Sequence, residues 1–335
     1  MHALFLVLAL VAPQQQYQET ITVSRVLVDL RVTGYDGEPV TGLTPEDLTV
    51  KIGGKPATVE SLDWIDDTDL PPAVEELDDM ASLAAPRRHR GRLFIVFIQT
   101  DFARNNFRVV GQMSFTRYAE EFIDSLEPED RVAVFSFDSH LKFRRDFSND
   151  KEDLKQVIRD AIRIDVPPPP PVVPSPSLAA RLDHDKMKKA ATSETGLALI
   201  ANALTSIDGP KSLLLLGWGL GRYSRGGVWM IPEWKAARAA LDNARVSIFS
   251  LDTAWADFHD LEFGMQTASK ETGGFYAKTF HFPKQAIARL QRTLSGHYEM
   301  SLRVPAQLKP GTYKLDVRVK RRGIEVLAPA NVIAE

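Results

Sequence analysis

Apolar positions along the chain change their spacing, and each change marks a change of architecture. Between Glu19 and Trp64, the residues Val23, Val26, Val28, Leu30 and Val32 largely alternate with polar neighbours. That is the period-two signature of a half-buried strand. Tyr35-Asp36-Gly37-Glu38-Pro39 supplies turn chemistry after it. Leu48–Ile52 and Pro56–Leu62, separated by Gly53-Gly54, predict a hairpin.

From Arg92 the alternation gives way to continuous apolar runs. Leu93–Ile98 is the first, and similar runs recur at Val132–Phe137, Ser212–Leu216 and Val246–Leu251. Strands of this kind are covered on both faces, as in a parallel sheet. Amphipathic stretches lie between them: Phe107–Leu126, Lys151–Ile164, Glu194–Ile207 and Trp234–Ala244. Leu261–Thr272 and Pro283–Leu294 read as two further helices, with Phe275-Tyr276 a short strand between them. The alternation of strand and helix predicts a doubly wound, mostly parallel α/β domain.

The tail returns to alternating strands at His297–Val304, Gly311–Lys320 and Ile324–Val332. Neither flank holds enough strands for a sandwich of its own. The expectation is therefore one β-sandwich-like domain from the amino- and carboxyl-terminal strands, with the α/β domain inserted between them. The boundaries that follow are residues 17–64 for the first β module, 65–91 for a linker and 92–295 for the α/β domain; 296–335 form the returning strands. The linker is acidic over Asp63–Asp79 and then basic at Arg87-Arg88-His89-Arg90. A proline-rich insertion at 165–192 carries the run Pro167–Pro171, which has no backbone donors and favours a stiff, exposed spacer.

Ala3–Ala12 is an unbroken apolar run followed by Pro13 and three glutamines. It is too short for the roughly 20 residues that a spanning helix needs, and it matches the core of a secretory signal. Residues 1–16 are read as that signal, which places the protein in the periplasm or outside the cell. No later segment is long and apolar enough for a stable membrane span. The net charge of −3 argues against a nucleic-acid partner. Absence of cysteine removes disulfides and thiol chemistry. The seven histidines show no metal-ligand spacing, and no nucleophile elbow or phosphate loop appears, so the chain reads as not an enzyme.

Several phrases together carry a resemblance. They are Val40-Thr41-Gly42-Leu43-Thr44-Pro45-Glu46-Asp47-Leu48, Leu126-Glu127-Pro128-Glu129-Asp130-Arg131-Val132, Ser250-Leu251-Asp252 and Glu271-Thr272-Gly273-Gly274. In this order and spacing the chain resembles a bacterial family of exported von Willebrand factor A-related proteins, known mainly from acidobacteria. The resemblance implies a metal-ion-dependent adhesion site at the carboxyl ends of the sheet strands, where open α/β sheets bind ligands. Its pattern is Asp-x-Ser-x-Ser after the first strand, a Thr before a central helix and an Asp after the fourth strand.

On that pattern Gln99, Asp101 and Ala103 take the Asp and two Ser positions, Ser193 the Thr position and Trp218 the second Asp position. Asp101 and Ser193 are the weak candidates for a metal, and Mg²⁺ needs near-octahedral oxygen ligation with a well-placed carboxylate. The expectation is a degenerate site without a cofactor, Ser193 serving instead as a helix N-cap. Trp218, between Gly217 and Gly219, is expected to offer an aromatic anchor with Tyr223, Trp229 and Trp255, about two of the four being exposed. Asp252 ends a core strand and completes the binding set of Gln99, Asp101, Ser193, Trp218 and Asp252. The functional expectation is an exported module binding an unknown protein or glycan through this face. A Mg²⁺-dependent adhesion protein with a non-standard site, and a cryptic hydrolase using Asp252, remain as alternatives.

Overall fold

The computed structural model describes residues 24–67, 91–100, 106–163 and 176–334. The amino-terminal apolar run, most of the linker, Asp101 and the proline run lie outside them. Among the described residues no helix is long and apolar enough to cross a membrane.

The first module holds β1 (Arg25–Gly34), β2 (Leu48–Ile52), β3 (Lys55–Pro56) and β4 (Thr58–Asp66). The α/β part then runs β5 (Leu93–Gln99), α1 (Asn106–Asp124), β6 (Arg131–Phe137), β7 (Leu141–Ser148), α2 (Lys151–Arg163), α3 (His184–Lys189) and α4 (Ser193–Leu204). It continues through β8 (Lys211–Gly217), β9 (Arg222–Ser224), β10 (Gly227–Trp229), α5 (Glu233–Asn243), β11 (Val246–Asp252), α6 (Glu262–Thr272), β12 (Tyr276–Lys278) and α7 (Pro283–Thr293). The chain closes with β13 (Gly296–Arg303), β14 (Gly311–Val319), β15 (Ile324–Leu327) and β16 (Asn331–Ala334).

The apolar runs are strands buried on both faces, as their composition requires. In β5, Leu93, Ile95 and Phe97 face one core, with α4, α5 and α6. Phe94, Val96 and Ile98 face the other, with α1, α2 and α7. The same division of odd and even positions holds in β8, where Leu213 and Leu215 oppose Leu214 and Leu216. The sheet order is β12-β11-β8-β5-β6-β7, parallel except for β7 at the edge. This is the doubly wound, mostly parallel sheet expected, and its order reverses between β5 and β8. Edge strand β7 was not anticipated, since its apolar positions Leu141, Phe143 and Phe147 are interrupted by Lys142, Arg144, Arg145 and Asp146. The short last strand starts at Tyr276, one residue later than expected.

Two antiparallel sheets, β15-β1-β13-β4 and β16-β14-β2-β3, enclose a third core of Val28, Leu30, Val32, Val50, Ile52, Met300 and Leu302. Terminal strands from both ends of the chain thus share these sheets, with Leu30 opposite Tyr298 in the β1–β13 register. Tyr298 also ties down the loop after β1: its hydroxyl donates to Val40 O and accepts from Leu43 N, both at 3.0 Å.

Strand β1 meets the α/β layer through ions. The Arg245 guanidinium grips Asp29 at 2.8 and 2.6 Å and reaches Glu299 at 3.1 Å. Arg245 pays for this in backbone geometry, being the one non-glycine residue with positive φ (53°) among the described residues. It sits just past the end of α5, where glycine is the usual occupant. Burial of a side chain so constrained is sustained by its paired carboxylates, and a non-glycine left-handed residue costs about 1–2 kcal/mol.

Two variants separate these terms. Arg245→Ala loses the ion pair and keeps the strained backbone, so a loss of about 2 kcal/mol is expected in denaturant titration. Arg245→Gly loses the same pair and relieves the strain, so it should stand about 1 kcal/mol above the alanine variant. Equal stability of the two would show that the left-handed turn is unstrained.

Candidate functional site

The reversal of strand order places a crevice at the carboxyl ends of β5 and β8, the position where open α/β sheets take ligands. Gln99, the last residue of β5, fills it. Its Oε1 accepts from the backbone N–H of Trp218 at 2.8 Å and of Gly219 at 3.2 Å. Its Nε2 donates to Ser193 Oγ at 3.1 Å and to Gly219 O at 2.7 Å. A primary amide offers two donors and an acceptor oxygen with two lone pairs. All are used, and the residue is buried.

The surrounding chain is shaped around that amide. A Cβ on Gly217 would lie 2.1 Å from Gln99 Oε1, so glycine is required there for space rather than for flexibility. Gln112 of α1 clamps the same strand ends from the other face, its Nε2 donating to Gln99 O and Leu216 O at 2.9 Å each. Glu194 accepts from Gly221 N at 2.6 Å and holds the far end of the 217–221 loop. Burial raises the Glu194 pKa above the usual carboxylate value. Thr253 N donates to Gly217 O at 2.7 Å and joins the exit of β11 to the same loop.

Of the five binding residues expected from sequence, Gln99, Ser193 and Trp218 come together here. Asp101 lies outside the described residues. Two expectations change. Ser193 is not the N-cap of α4; Thr192 is, its hydroxyl accepting from Thr195 N at 3.1 Å. Ser193 is the first helical residue, turned inward to Gln99. Trp218 is only 6% exposed and is no surface anchor; its backbone N–H is bonded to the Gln99 amide in the crevice. Tyr223, Trp229 and Trp255 are exposed, so three of the four aromatics face solvent where about two were expected.

The donor set of the crevice is, among the described residues, not that of a Mg²⁺ site. Among the described residues it holds a neutral amide whose NH₂ group points inward, a hydroxyl and an indole-bearing loop, whereas Mg²⁺ calls for convergent oxygens and a carboxylate.

Asp252 stands apart, one strand away at the end of β11. Its Oδ1 accepts from Ala254 N at 2.9 Å, the turn-forming role that a strand-end aspartate commonly takes. Its Oδ2 meets His259 Nε2 at 2.7 Å and accepts from the Tyr276 hydroxyl at 2.6 Å. Glu262, first residue of α6, lies 3.5 Å from the same hydroxyl and pairs with Lys278 at 2.8 Å. Burial next to Asp252 and Glu262 drives the Tyr276 pKa up, so the phenol stays protonated. His259, Glu262 and Tyr276 were not identified from sequence; the local signal that could have found the first two is their spacing of three residues, with Glu262 N–H bonded to His259 O in one turn, whereas nothing local links Tyr276 to them. The parallel register that sets Ser250 beside Tyr276 and Asp252 beside Lys278 brings them together.

On the α1 side of the sheet a groove of about 480 Å³ opens between α1 and the exits of β11 and β12. Met113, Arg117, Tyr118, Trp255, Phe280 and His281 line it. Trp255 packs edge-on against Phe280 with ring centroids 4.7 Å apart.

No protein-family model matches the chain, and no curated protein matches it. Solved structures do. A von Willebrand factor type A protein from Catenulispora acidiphila aligns over 94% of this chain and 74% of its own length, at 8% identity and a TM-score of 0.42. An aerotolerance-related membrane protein from Bacteroides fragilis aligns over 61% of this chain and 98% of its own, at 12% identity and a TM-score of 0.41. Proximal thread matrix protein 1 from the mussel byssus, solved with a zinc-occupied adhesion motif, aligns over 62% of this chain and 47% of its own. The identity there is 13% and the TM-score 0.39.

The Gln99–Gly217 contact yields a double-mutant test. Gln99→Ala leaves two buried N–H groups without their acceptor and should cost roughly 3 kcal/mol by denaturant titration. Gly217→Ala should be similarly costly in the parent, because its methyl enters the space of the amide oxygen. In the Gln99→Ala background that clash is gone, and the cost should drop by more than about 1 kcal/mol. Additive losses would show that the two residues do not share one space.

Proposed function

We propose that the chain is an exported, non-enzymatic binding module that takes a protein or glycan partner on its strand-end face, with Gln99 in place of the metal of adhesion-type domains. The observation that carries this reading is the set of large apolar side chains left in solvent at that face: Met113, Trp255, Phe258 and Phe282, beside the aromatic groove. Solvent-exposed aromatic surface gathered in one place marks an interaction site more often than scattered single residues do. Aromatic side chains in a groove also supply the anchors that dominate interface energetics. Arg117 and His281 at the groove add hydrogen-bond donors to the apolar walls.

The reading is preferred to Mg²⁺-dependent adhesion because both amide protons of Gln99 are taken up by Ser193 Oγ and Gly219 O. Export rests on the apolar run Ala3–Ala12 and its polar flank. The role of the α/β layer is then to hold the strand exits rigid, and that of the paired terminal strands is to brace its opposite end.

The mature chain, immobilised and exposed to envelope extract, should capture a partner whether Mg²⁺ is added or withheld. Trp255→Ala with Phe282→Ala should abolish the capture. Tyr223→Ala, on the β9–β10 hairpin by α6, should leave it intact. Capture that survives the double variant, or that requires Mg²⁺, would overturn the reading.

A further inference from the structure

At Gln99 the described side chains are a neutral amide and a hydroxyl, whereas the end of β11 gathers titratable side chains. Three side chains that ligate metals converge there: Asp252 from β11, His259 from the loop after it and Glu262 from the start of α6. One ligand atom from each lies within 4.8 Å of the other two. Asp252 is buried and His259 and Glu262 are largely so, yet the side chain of His259 keeps 22% of its surface open, leaving a route from solvent.

The cluster is looser than a filled site on the Glu262 side and tighter at the Asp252–His259 pair. With metal–ligand bonds of about 2.0–2.1 Å, ligands of a tetrahedral Zn²⁺ ion sit about 3.3 Å apart. Asp252 Oδ2 and His259 Nε2 are 2.7 Å apart, held by a shared proton. The Tyr276 hydroxyl stands 2.6 Å from Asp252 and 3.5 Å from Glu262, bridging the two carboxylates through a second proton. A tetrahedral ion there requires the Asp252–His259 pair to open by about 0.6 Å and Glu262 to move inward. We propose that Asp252, His259 and Glu262 bind a divalent transition-metal ion of the zinc class, with the Tyr276 hydroxyl or a water completing the tetrahedron.

The ligand chemistry chooses the ion. An imidazole with two carboxylates suits Zn²⁺, Co²⁺ or Ni²⁺, whereas Mg²⁺ and Ca²⁺ take oxygen ligands. Lys278 is the resident competitor. Its ammonium lies 2.8 Å from Glu262 Oε2, and its half-open side chain can swing away when a metal takes that oxygen. The consequence of binding reaches the partner face. Residues 253–261 run from Asp252 to His259 and on to α6, and this loop carries Trp255 and Phe258. A metal joining its two ends fixes the position of both aromatics. The metal site itself does not depend on the partner reading.

Isothermal titration of the full, metal-stripped chain with Zn²⁺ should show one site with a micromolar or tighter Kd. Co²⁺ in its place should give the visible absorption of a tetrahedral N/O complex. His259→Gln and Glu262→Gln should each weaken Zn²⁺ at least tenfold. Lys278→Gln should strengthen it, a gain that a purely structural ion-pair network does not predict. His140→Ala, removing the His140–Asp138 contact on the turn between β6 and β7, should leave the affinity unchanged. Circular dichroism of each variant confirms that it is folded, and Lys278→Gln remains informative if a ligand variant is not. Absence of Zn²⁺ binding by the parent, affinity retained in His259→Gln, or affinity lost in His140→Ala would overturn the proposal.

Discussion

One buried amide sets the geometry of the strand-end face. Gln99 joins the end of β5 to the start of α4 and the loop after β8 through four hydrogen bonds, in the crevice where the sheet reverses its order. A carboxylate at that position repels the carbonyl of Gly219 and needs a cation to sit there; a neutral amide satisfies both the carbonyl and the two N–H groups at once. The glycine at 217 and the inward Ser193 fit around this amide, and the Trp218 backbone is bonded to it. The crevice is therefore internal structure, and whatever this face binds must engage the exposed rim around it.

The fold was legible in the sequence wherever both faces of an element are buried. Leu93–Ile98, Ser212–Leu216 and Val246–Leu251 can only be strands packed from both sides, and the amphipathic stretches between them supply the helices. What escaped was local polarity with non-local cause. Arg144 and Asp146 are buried in β7 and break its apolar pattern, because Arg144 bonds Ser136 and Asp146 bonds the chain at Ser177 and Leu178. Trp218 reads as an anchor from its glycine neighbours, yet its side chain is buried and its backbone N–H is held by an amide 119 residues earlier.

The same limit applies to the second cluster. Asp252 is visible at a strand end, but His259, Glu262 and Tyr276 gain meaning only when β11 and β12 pair in register and α6 packs beside them. Local spacing identifies a metal site when its ligands share one helix or one turn. Here only His259 and Glu262 share a turn; Asp252 and Tyr276 come from two paired strands, so the sheet is what completes the cluster.

The opposite end of the sheet explains why the face can remain open. Asp29 and Glu299 of the paired terminal strands meet Arg245, while Arg31 is buried with its guanidinium over the Phe249 ring. Arg92 binds Asp130 and the carbonyl of Leu294, and Lys211 donates to Gly209 O and Ala244 O. Burial pushes the Lys211 ammonium down to about 8. Buried ions add little net stability over apolar packing, yet removal of one partner is costly, so such a seam favours one docking geometry over others. The sandwich is thereby held at the amino ends of the strands, and the carboxyl ends, with the aromatic rim and the Asp252 cluster, are left facing outward.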